Sequence, residues 1–311
     1  MPHSPRHLIS SADLSAAEIQ DLVKLALVLK RTRQRVLDGR QLALLFEKPS
    51  LRTRVSFQVG MRHLGGDSVY LTPQEGVLGE REPIKDVARV LGRYVDIVAI
   101  RTFGQAIVDE YASYSTIPVI NALTNEEHPC QALADLVTLT EHLEDVSGHT
   151  LAFIGDGNNV ATSLALTAVS LGMHVRIATP RGYQLPEWAA TEASIRAAEA
   201  GGSFATLTDP ELAAEGADAL YTDTWTSMGF EREAERRRMD FAGFQVNAQL
   251  RKIAGTGVLV MHDLPAHRGE EITDEAFEGE GSIIFDQAEN RTWAQAAAIC
   301  KLLGVDHEVR R

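Results

Sequence analysis

Short apolar, β-branched runs alternate with longer segments of helical periodicity from one end of the chain to the other. The runs lie at residues 42–46, 68–71, 97–100 and 118–121 in the first half, and at 151–154, 175–178, 219–222, 258–261 and 283–285 in the second. Runs this short, separated by helix-length stretches, predict βαβ units and mainly parallel sheets. Residues 13–36 place Leu14, Ile19, Leu22, Leu25 and Leu29 at helical spacing, and Ser15 followed by Glu18 has the form of a capping box. Another helix is expected over residues 128–143, after which Ser147 and Gly148 break the pattern. That break divides two similar halves. The expected fold is α/β, with two similar domains at 1–147 and 148–286, each a mainly parallel sheet flanked by helices and linked by long helices. An alanine-rich last helix, 287–303, either caps the second domain or packs back onto the first with the rest of 287–311. The chain shows no solenoid period and no low-complexity linker.

Composition narrows the partners. The 311 residues carry 30 Lys plus Arg against 43 Asp plus Glu, a formal charge of −13. A field of that sign argues against nucleic acid or an anionic membrane surface, which need concentrated positive charge. Any small anion must therefore meet a local cluster of basic groups. A hydrophobic content of 44% with 23% charged residues excludes disorder as the main state. Two distant cysteines, Cys130 and Cys300, suit a reducing, cytoplasmic setting. Residues 1–11 lack the apolar core of a secretory signal, and no stretch approaches the ~18 apolar residues of a membrane span.

In open parallel sheets ligands bind beyond the carboxyl ends of the strands, so the residues just after each apolar run carry the candidate chemistry. After the first run stands Ser50-Leu51-Arg52-Thr53, opening a helix. Hydroxyls, a guanidinium fork and free backbone N–H groups at a helix start make a phosphate cradle. An arbitrary S-x-R-T is more often a plain N-cap with solvated arginines; its place after a strand favours the cradle. Arg101 ends the third run, and basic residues at neighbouring strand ends converge on one point. After the fourth run, His128-Pro129-Cys130-Gln131 starts a helix, with His128 and Gln131 on its first turn. They can polarise a carbonyl oxygen, although a capped helix with a buried histidine accounts for them equally well when taken alone.

In the second half, Gly155-Asp156-Gly157-Asn158-Asn159 follows a strand but has Val160 where a dinucleotide fingerprint needs its third glycine, and no acidic residue closes the next strand. A small polar ligand is the better reading than a nucleotide. Asp223-Thr224-Trp225-Thr226-Ser227-Met228-Gly229 has the character of a lid, with Trp225 and Met228 expected to be exposed. Asp263-Leu264-Pro265-Ala266-His267-Arg268-Gly269 gathers carboxylate, imidazole and guanidinium groups, with a peptide bond at Leu264-Pro265 that can be cis. Arg291 is expected in the first turn of the last helix, where it opposes the helix dipole and so invites an anion.

Taken in order, S-x-R-T, Arg101, H-P-x-Q, G-D-x-N-N, D-x-W-x-S-M-G, L-P-A-H-R-G and F-D-Q-A-E-N-R resemble the aspartate/ornithine carbamoyltransferase family over residues 42–302. The S-M-G lid resembles the branch of it that acts on ornithine. The resemblance implies transfer of the carbamoyl group of carbamoyl phosphate to L-ornithine, giving L-citrulline and phosphate, with no metal or cofactor. It implies carbamoyl phosphate held by Ser50, the Leu51 N–H, Arg52, Thr53 and Arg101, with His128, Gln131 and Arg291 at its carbonyl. It implies ornithine held by Asn159, Asp223, Ser227, Met228, Asp263 and Leu264, with Arg101, His128, Gln131, Asp263 and Arg291 as the catalytic set. A cytoplasmic homotrimer, or a multiple of one, is implied as well.

Three positions depart from the family pattern. Asp263 replaces a usual cysteine, and a carboxylate there favours the substrate ammonium and can take its proton. Val77 replaces a glutamine that in some relatives reaches a neighbouring subunit's substrate, and Leu51 replaces a frequent threonine. Putrescine or an N-acylornithine are the alternative acceptors, ahead of aspartate, whose second carboxylate calls for basic residues on the amino-acid side. A nicotinamide-dependent dehydrogenase lacks its fingerprint here, and a non-catalytic amino-acid-binding protein has no use for a complete phosphate cradle.

Overall fold

The computed structural model describes residues 5–72 and 78–310; Val77 lies outside them. The chain forms two compact units. One runs to Val137 and resumes at Glu289; the other is Thr138–Ala288. The chain passes from one to the other inside two helices, Pro129–Leu143 and Ile284–Leu302, whereas the Ser147-Gly148 break follows the first of these helices.

The first unit contains α1 (Ala16–Thr32), β1 (Gln41–Phe46), α2 (Leu51–His63), β2 (Asp67–Leu71), α3 (Ile84–Leu91), β3 (Ile97–Arg101), α4 (Gln105–Tyr114), β4 (Val119–Leu123) and the start of α5 (Pro129–Leu143). Its sheet is parallel, in the order β2-β1-β3-β4. β1 and β3 are buried on both faces, which explains their unbroken apolar runs, and Leu45, Val98 and Ile100 pack against Val108 and Tyr111 of α4. The expected capping box is present: Ser15 accepts from the Glu18 N–H, and the Glu18 carboxylate accepts from the Ser15 N–H. The helix stops at Arg33, whose left-handed φ of 48° turns the chain, short of the expected residue 36.

The second unit contains β5 (Thr150–Ile154), α6 (Asn159–Ser170), β6 (His174–Ala178), α7 (Glu187–Ala200), β7 (Ser203–Leu207), α8 (Pro210–Ala214), β8 (Ala219–Thr222), α9 (Ala234–Asp240), α10 (Ala248–Ala254), β9 (Leu259–His262), α11 (Asp274–Glu278) and the start of α12 (Ile284–Leu302). Its parallel sheet has the order β7-β6-β5-β8-β9.

One expected strand is corrected, and one strand lies outside the apolar pattern. The apolar run 283–285 is not a strand. Ile283 donates one ladder bond to the Val260 carbonyl, but its own carbonyl accepts from the Gln287 N–H, and Ile284 enters the core as the first residue of α12. β7 escapes the apolar pattern because it is an edge strand whose side chains are mostly solvated.

In both sheets the chain builds outward from one strand and then returns to its other side, so each has a switch point: β1 beside β3, and β5 beside β8. Ligands of open α/β sheets sit beyond the carboxyl ends of such strands. The motifs read from the sequence follow β1, β3, β4, β5, β8 and β9, which places them at those ends.

Candidate active site

Register decides what meets at the first switch point. Phe46 pairs with Arg101, so the loop leaving β1 and the last residue of β3 end at one level. Ser50 caps α2: its Oγ accepts from the Thr53 N–H at 3.3 Å and donates to Thr53 Oγ1 at 3.0 Å. Thr53 Oγ1 is the hub. It also accepts from Arg291 Nη2 at 2.9 Å and lies 3.4 Å from Arg101 Nη1. Two buried guanidiniums therefore converge on one hydroxyl at a helix N-terminus, an arrangement suited to a compact oxyanion. Arg52 is half-buried on the first turn of α2, and the Leu51 side chain points to solvent at 75% exposure.

Arg291 reaches this point from the third turn of α12, not from its first turn, because the helix begins at Ile284. Its placement is therefore explained by its reach to Thr53 and not by the helix dipole. His128 and Gln131 at the head of α5 are buried, and Gln131 Nε2 donates to the buried carboxylate of Asp135 at 2.8 Å. Burial, with the positive charges of Arg291 and Arg101 adding to it, holds the His128 imidazole well below its ordinary pKa. His128 is thus a neutral group beside two cations, able to donate to a carbonyl oxygen without adding charge. Lys48 was missed by the sequence reading. It is buried next to the cradle, with its ammonium 4.3 Å from the Phe103 ring, and its place at a strand's carboxyl end was the available signal.

The second unit repeats the logic with the opposite sign. Thr222 pairs with His262, so the residues that follow, Asp223 and Asp263, leave adjacent strands side by side. Asp223 is buried; its Oδ1 accepts from the Thr224 N–H at 2.6 Å and its Oδ2 from Asn158 Nδ2 at 2.6 Å. Burial, followed by the charge and hydrogen bond of Asp263, pushes the Asp223 carboxyl well above the usual carboxylate range. Asn158, another residue the sequence reading passed over, caps α6 with its oxygen while its amide holds Asp223; Asn159 next to it is the first helical residue.

Behind the pair, His262 is buried and fixed at both ring nitrogens. Nδ1 accepts from the Leu264 N–H at 2.9 Å, so Nε2 carries the proton to Glu271 Oε1 at 3.1 Å. Ligand atoms of Asp223, His262 and Asp263 lie within 4.8 Å of one another, but those two bonds occupy the imidazole and leave the cluster to its carboxylates. The Leu264-Pro265 bond is cis.

The loop after β8 corrects one expectation. Met228 is 46% exposed, as read from the sequence, but Trp225 is only 5% exposed and stacks on Phe241 at 5.8 Å. The tryptophan is an anchor of the loop, while Ser227 and Met228 form its outer turn, where the Ser227 carbonyl accepts from the Phe230 N–H. The glycines of Gly155-Asp156-Gly157 also acquire a reason. A Cβ on Gly157 would stand 2.5 Å from the backbone at Gln184 and Leu185, so the residue permits two loops to touch. Asp156, pushed up to about 6 by burial against the opposing pull of Arg237, pairs with that arginine at 2.6 Å.

These features have known counterparts. The models of the aspartate/ornithine carbamoyltransferase carbamoyl-P binding domain and Asp/Orn binding domain match residues 6–141 and 147–302. The chain belongs to the aspartate/ornithine carbamoyltransferase family. Among its family relatives is the ornithine carbamoyltransferase of Archaeoglobus fulgidus, 50% identical over 98% of this chain and 99% of that protein. The structure of ornithine carbamoyltransferase from Pyrococcus furiosus superposes with a TM-score of 0.94 at 46% identity, covering 97% of this chain and 98% of that one. An N-acetyl-L-ornithine transcarbamylase structure shares the fold at a TM-score of 0.87 but only 32% identity, with 96% and 99% of the two chains covered. The fold expected from the sequence, two α/β units with parallel sheets, is that of these family members. Among the described residues no helix is long and apolar enough to cross a membrane.

Proposed function

We propose that this carbamoyltransferase acts on L-ornithine, converting it with carbamoyl phosphate to L-citrulline and phosphate. The observation that carries this reading is the pairing of Thr222 with His262, which sets the carboxyl groups of Asp223 and Asp263 side by side to receive the acceptor's ammonium. Aspartate, whose side chain brings a second carboxylate where ornithine brings an amine, is a poor fit to such a pair.

Ser50, the Leu51 N–H, Arg52, Thr53 and Arg101 hold the phosphate; Thr53, His128, Gln131 and Arg291 donate to the carbonyl oxygen. The δ-amine attacks the carbamoyl carbon, forming a C–N bond as the C–O bond to phosphate breaks. Asp263 takes the proton that frees the bound δ-ammonium for attack, and the phosphate leaves with the electron pair of the C–O bond into the cradle that bound it, accepting the proton the nitrogen sheds as the C–N bond forms. Most of the rate enhancement then comes from positioning and from donors preset for the developing oxyanion. Asn159, Ser227, Met228 and Leu264 complete the acceptor side. The working form is a homotrimer or a multiple of it in the cytoplasm, a setting compatible with Cys130 and Cys300, buried free thiols pushed up to about 12 by burial.

A colorimetric ureido assay with ornithine, putrescine, N-acetylornithine and aspartate tests the proposal. Ornithine is expected to give the highest kcat/KM. Preference for another amine would move the acceptor, and silence with all four would overturn the reading.

A further inference from the structure

Arg237 sits in a run of three arginines, Arg236 to Arg238, on the short helix α9, a pattern that normally marks a solvated face. It alone of the three is buried. Its guanidinium donates to Asp156 Oδ2 at 2.6 Å, in the loop after β5, and to the Trp225 carbonyl at 2.9 Å, in the loop after β8. Its Nε donates to Glu233 at 3.2 Å, and its planar face lies 4.9 Å from the Tyr183 ring, in the loop after β6, and 5.3 Å from Phe230. One side chain thus ties together the loops leaving three strands of the second sheet.

The loops it joins are those carrying the acceptor groups. Asp156 lies two residues before Asn158, which holds Asp223, and Trp225 lies two residues before Ser227. Gly157 donates its N–H to the Tyr183 carbonyl at 2.9 Å, so the first and second loops already touch through backbone; the loop after β8 is the one that the guanidinium brings in. Arginine suits the task because its fork serves three acceptors in fixed directions while its plane stacks on rings, and lysine can reproduce only part of this.

We infer that Arg237 is a positioning residue of the acceptor site: it sets the place of the Trp225 to Met228 turn relative to Asp223, so that affinity for the amine substrate depends on it while affinity for carbamoyl phosphate does not. This rests on the ornithine reading above for its kinetic test and on geometry alone for its structural one.

The kinetic experiment compares Arg237→Met, Arg237→Lys and Asp156→Asn with the unsubstituted protein, each confirmed folded by circular dichroism. Arg237→Met is expected to raise the KM for ornithine about tenfold, equivalent to about 1.4 kcal/mol of binding, with the KM for carbamoyl phosphate unchanged. Arg237→Lys should recover part of the loss, and Asp156→Asn, which keeps an acceptor oxygen but removes the charge of one of the three partners, should give a smaller rise in the same constant. An unchanged ornithine KM in these variants, or an equal rise in both Michaelis constants, would overturn the inference. If Arg237→Met does not fold, Arg237→Lys and Asp156→Asn carry the same test. Hydrogen exchange of residues 224–230 in the substrate-free protein is read in parallel. Faster exchange in Arg237→Lys than in the unsubstituted chain supports the tie, and equal exchange refutes it, even should ornithine prove not to be the acceptor.

Discussion

The two units place their chemistry by the same device and with opposite charge. In the first, the level ends of β1 and β3 bring a capped helix start and Arg101 together, and Arg291 closes on the same Thr53 hydroxyl. In the second, the level ends of β8 and β9 bring two carboxyl groups together; Asn158 holds Asp223, and His262 holds the backbone just after Asp263 through the Leu264 N–H. Each site contains a buried histidine: His128 is kept neutral by burial among cations, while His262 gives both ring nitrogens to hydrogen bonds with its neighbours. A net charge of −13 thus coexists with a local meeting of two buried guanidiniums because the sheet register, not the overall composition, decides which charges meet.

The division of labour makes the two halves separable by substitution. The largest effect is expected from Arg101→Ala. It removes a buried cation at the hub of the cradle, and the loss of such a charge-assisted donor in a preorganised site costs about 10²- to 10³-fold in rate. The loss should fall on kcat/KM for carbamoyl phosphate in steady-state titrations; a defect confined to ornithine would break the assignment of the halves. His128→Asn follows, with kcat lowered about 100-fold as a carbonyl donor is misplaced. Because the imidazole is held well below its ordinary pKa, it is already neutral throughout the physiological range. The pH dependence of kcat should therefore survive in the variant, and its disappearance would mean that His128 is itself the titrating group.

A smaller effect belongs to the amine side. Asp263→Asn keeps the volume and removes one charge of the pair, and the KM for ornithine should rise about tenfold, which is about 1.4 kcal/mol. The sign of the pH dependence follows from Asp223, whose carboxyl is raised by burial and then by Asp263. A raised carboxyl is neutral in acid and gains its charge as pH rises, so the hold on an ammonium strengthens and the ornithine KM falls toward neutral pH. Taking away the Asp263 charge lowers the Asp223 pKa and flattens that trend. An Asp263→Cys variant with the same KM and the same pH profile as the unsubstituted protein would remove Asp263 from the acceptor site.

How much of this was legible in the chain depended on whether the information was local. Ser50 as a cap, the helix start at His128 and the glycine-rich turn after β5 are written in contiguous residues, and the structure has them where the pattern put them. The adjacency of Asp223 and Asp263 is not local: it needs the pairing of β8 with β9, two strands separated by an intervening pair of helices. Arg237 was hidden by its neighbours, since a run of arginines looks the same whether all are solvated or one turns inward. Trp225 was misjudged because a polar loop hides the fact that its tryptophan folds back onto Phe241. Arg291 lies further into its helix than the sequence indicates, because the apolar run before it has the pattern of a strand but opens the helix instead.

The smallest expected effect probes a departure in the cradle itself. Leu51 stands where a threonine is frequent among the family, and its side chain is 75% exposed at the first residue of α2. The first N–H groups of a helix have no intrahelical partner, so this position can serve a phosphate through its backbone whatever side chain it carries. Leu51→Thr should therefore leave the KM for carbamoyl phosphate within about twofold, since exposed substitutions away from packed or paired groups move free energies by roughly ±0.5 kcal/mol. A rise in affinity well beyond that would show that the threonine hydroxyl adds a contact of its own. The cradle of this chain would then be one donor short, and its affinity for the anion would rest more heavily on Arg101 and Arg291 than a backbone-served position requires.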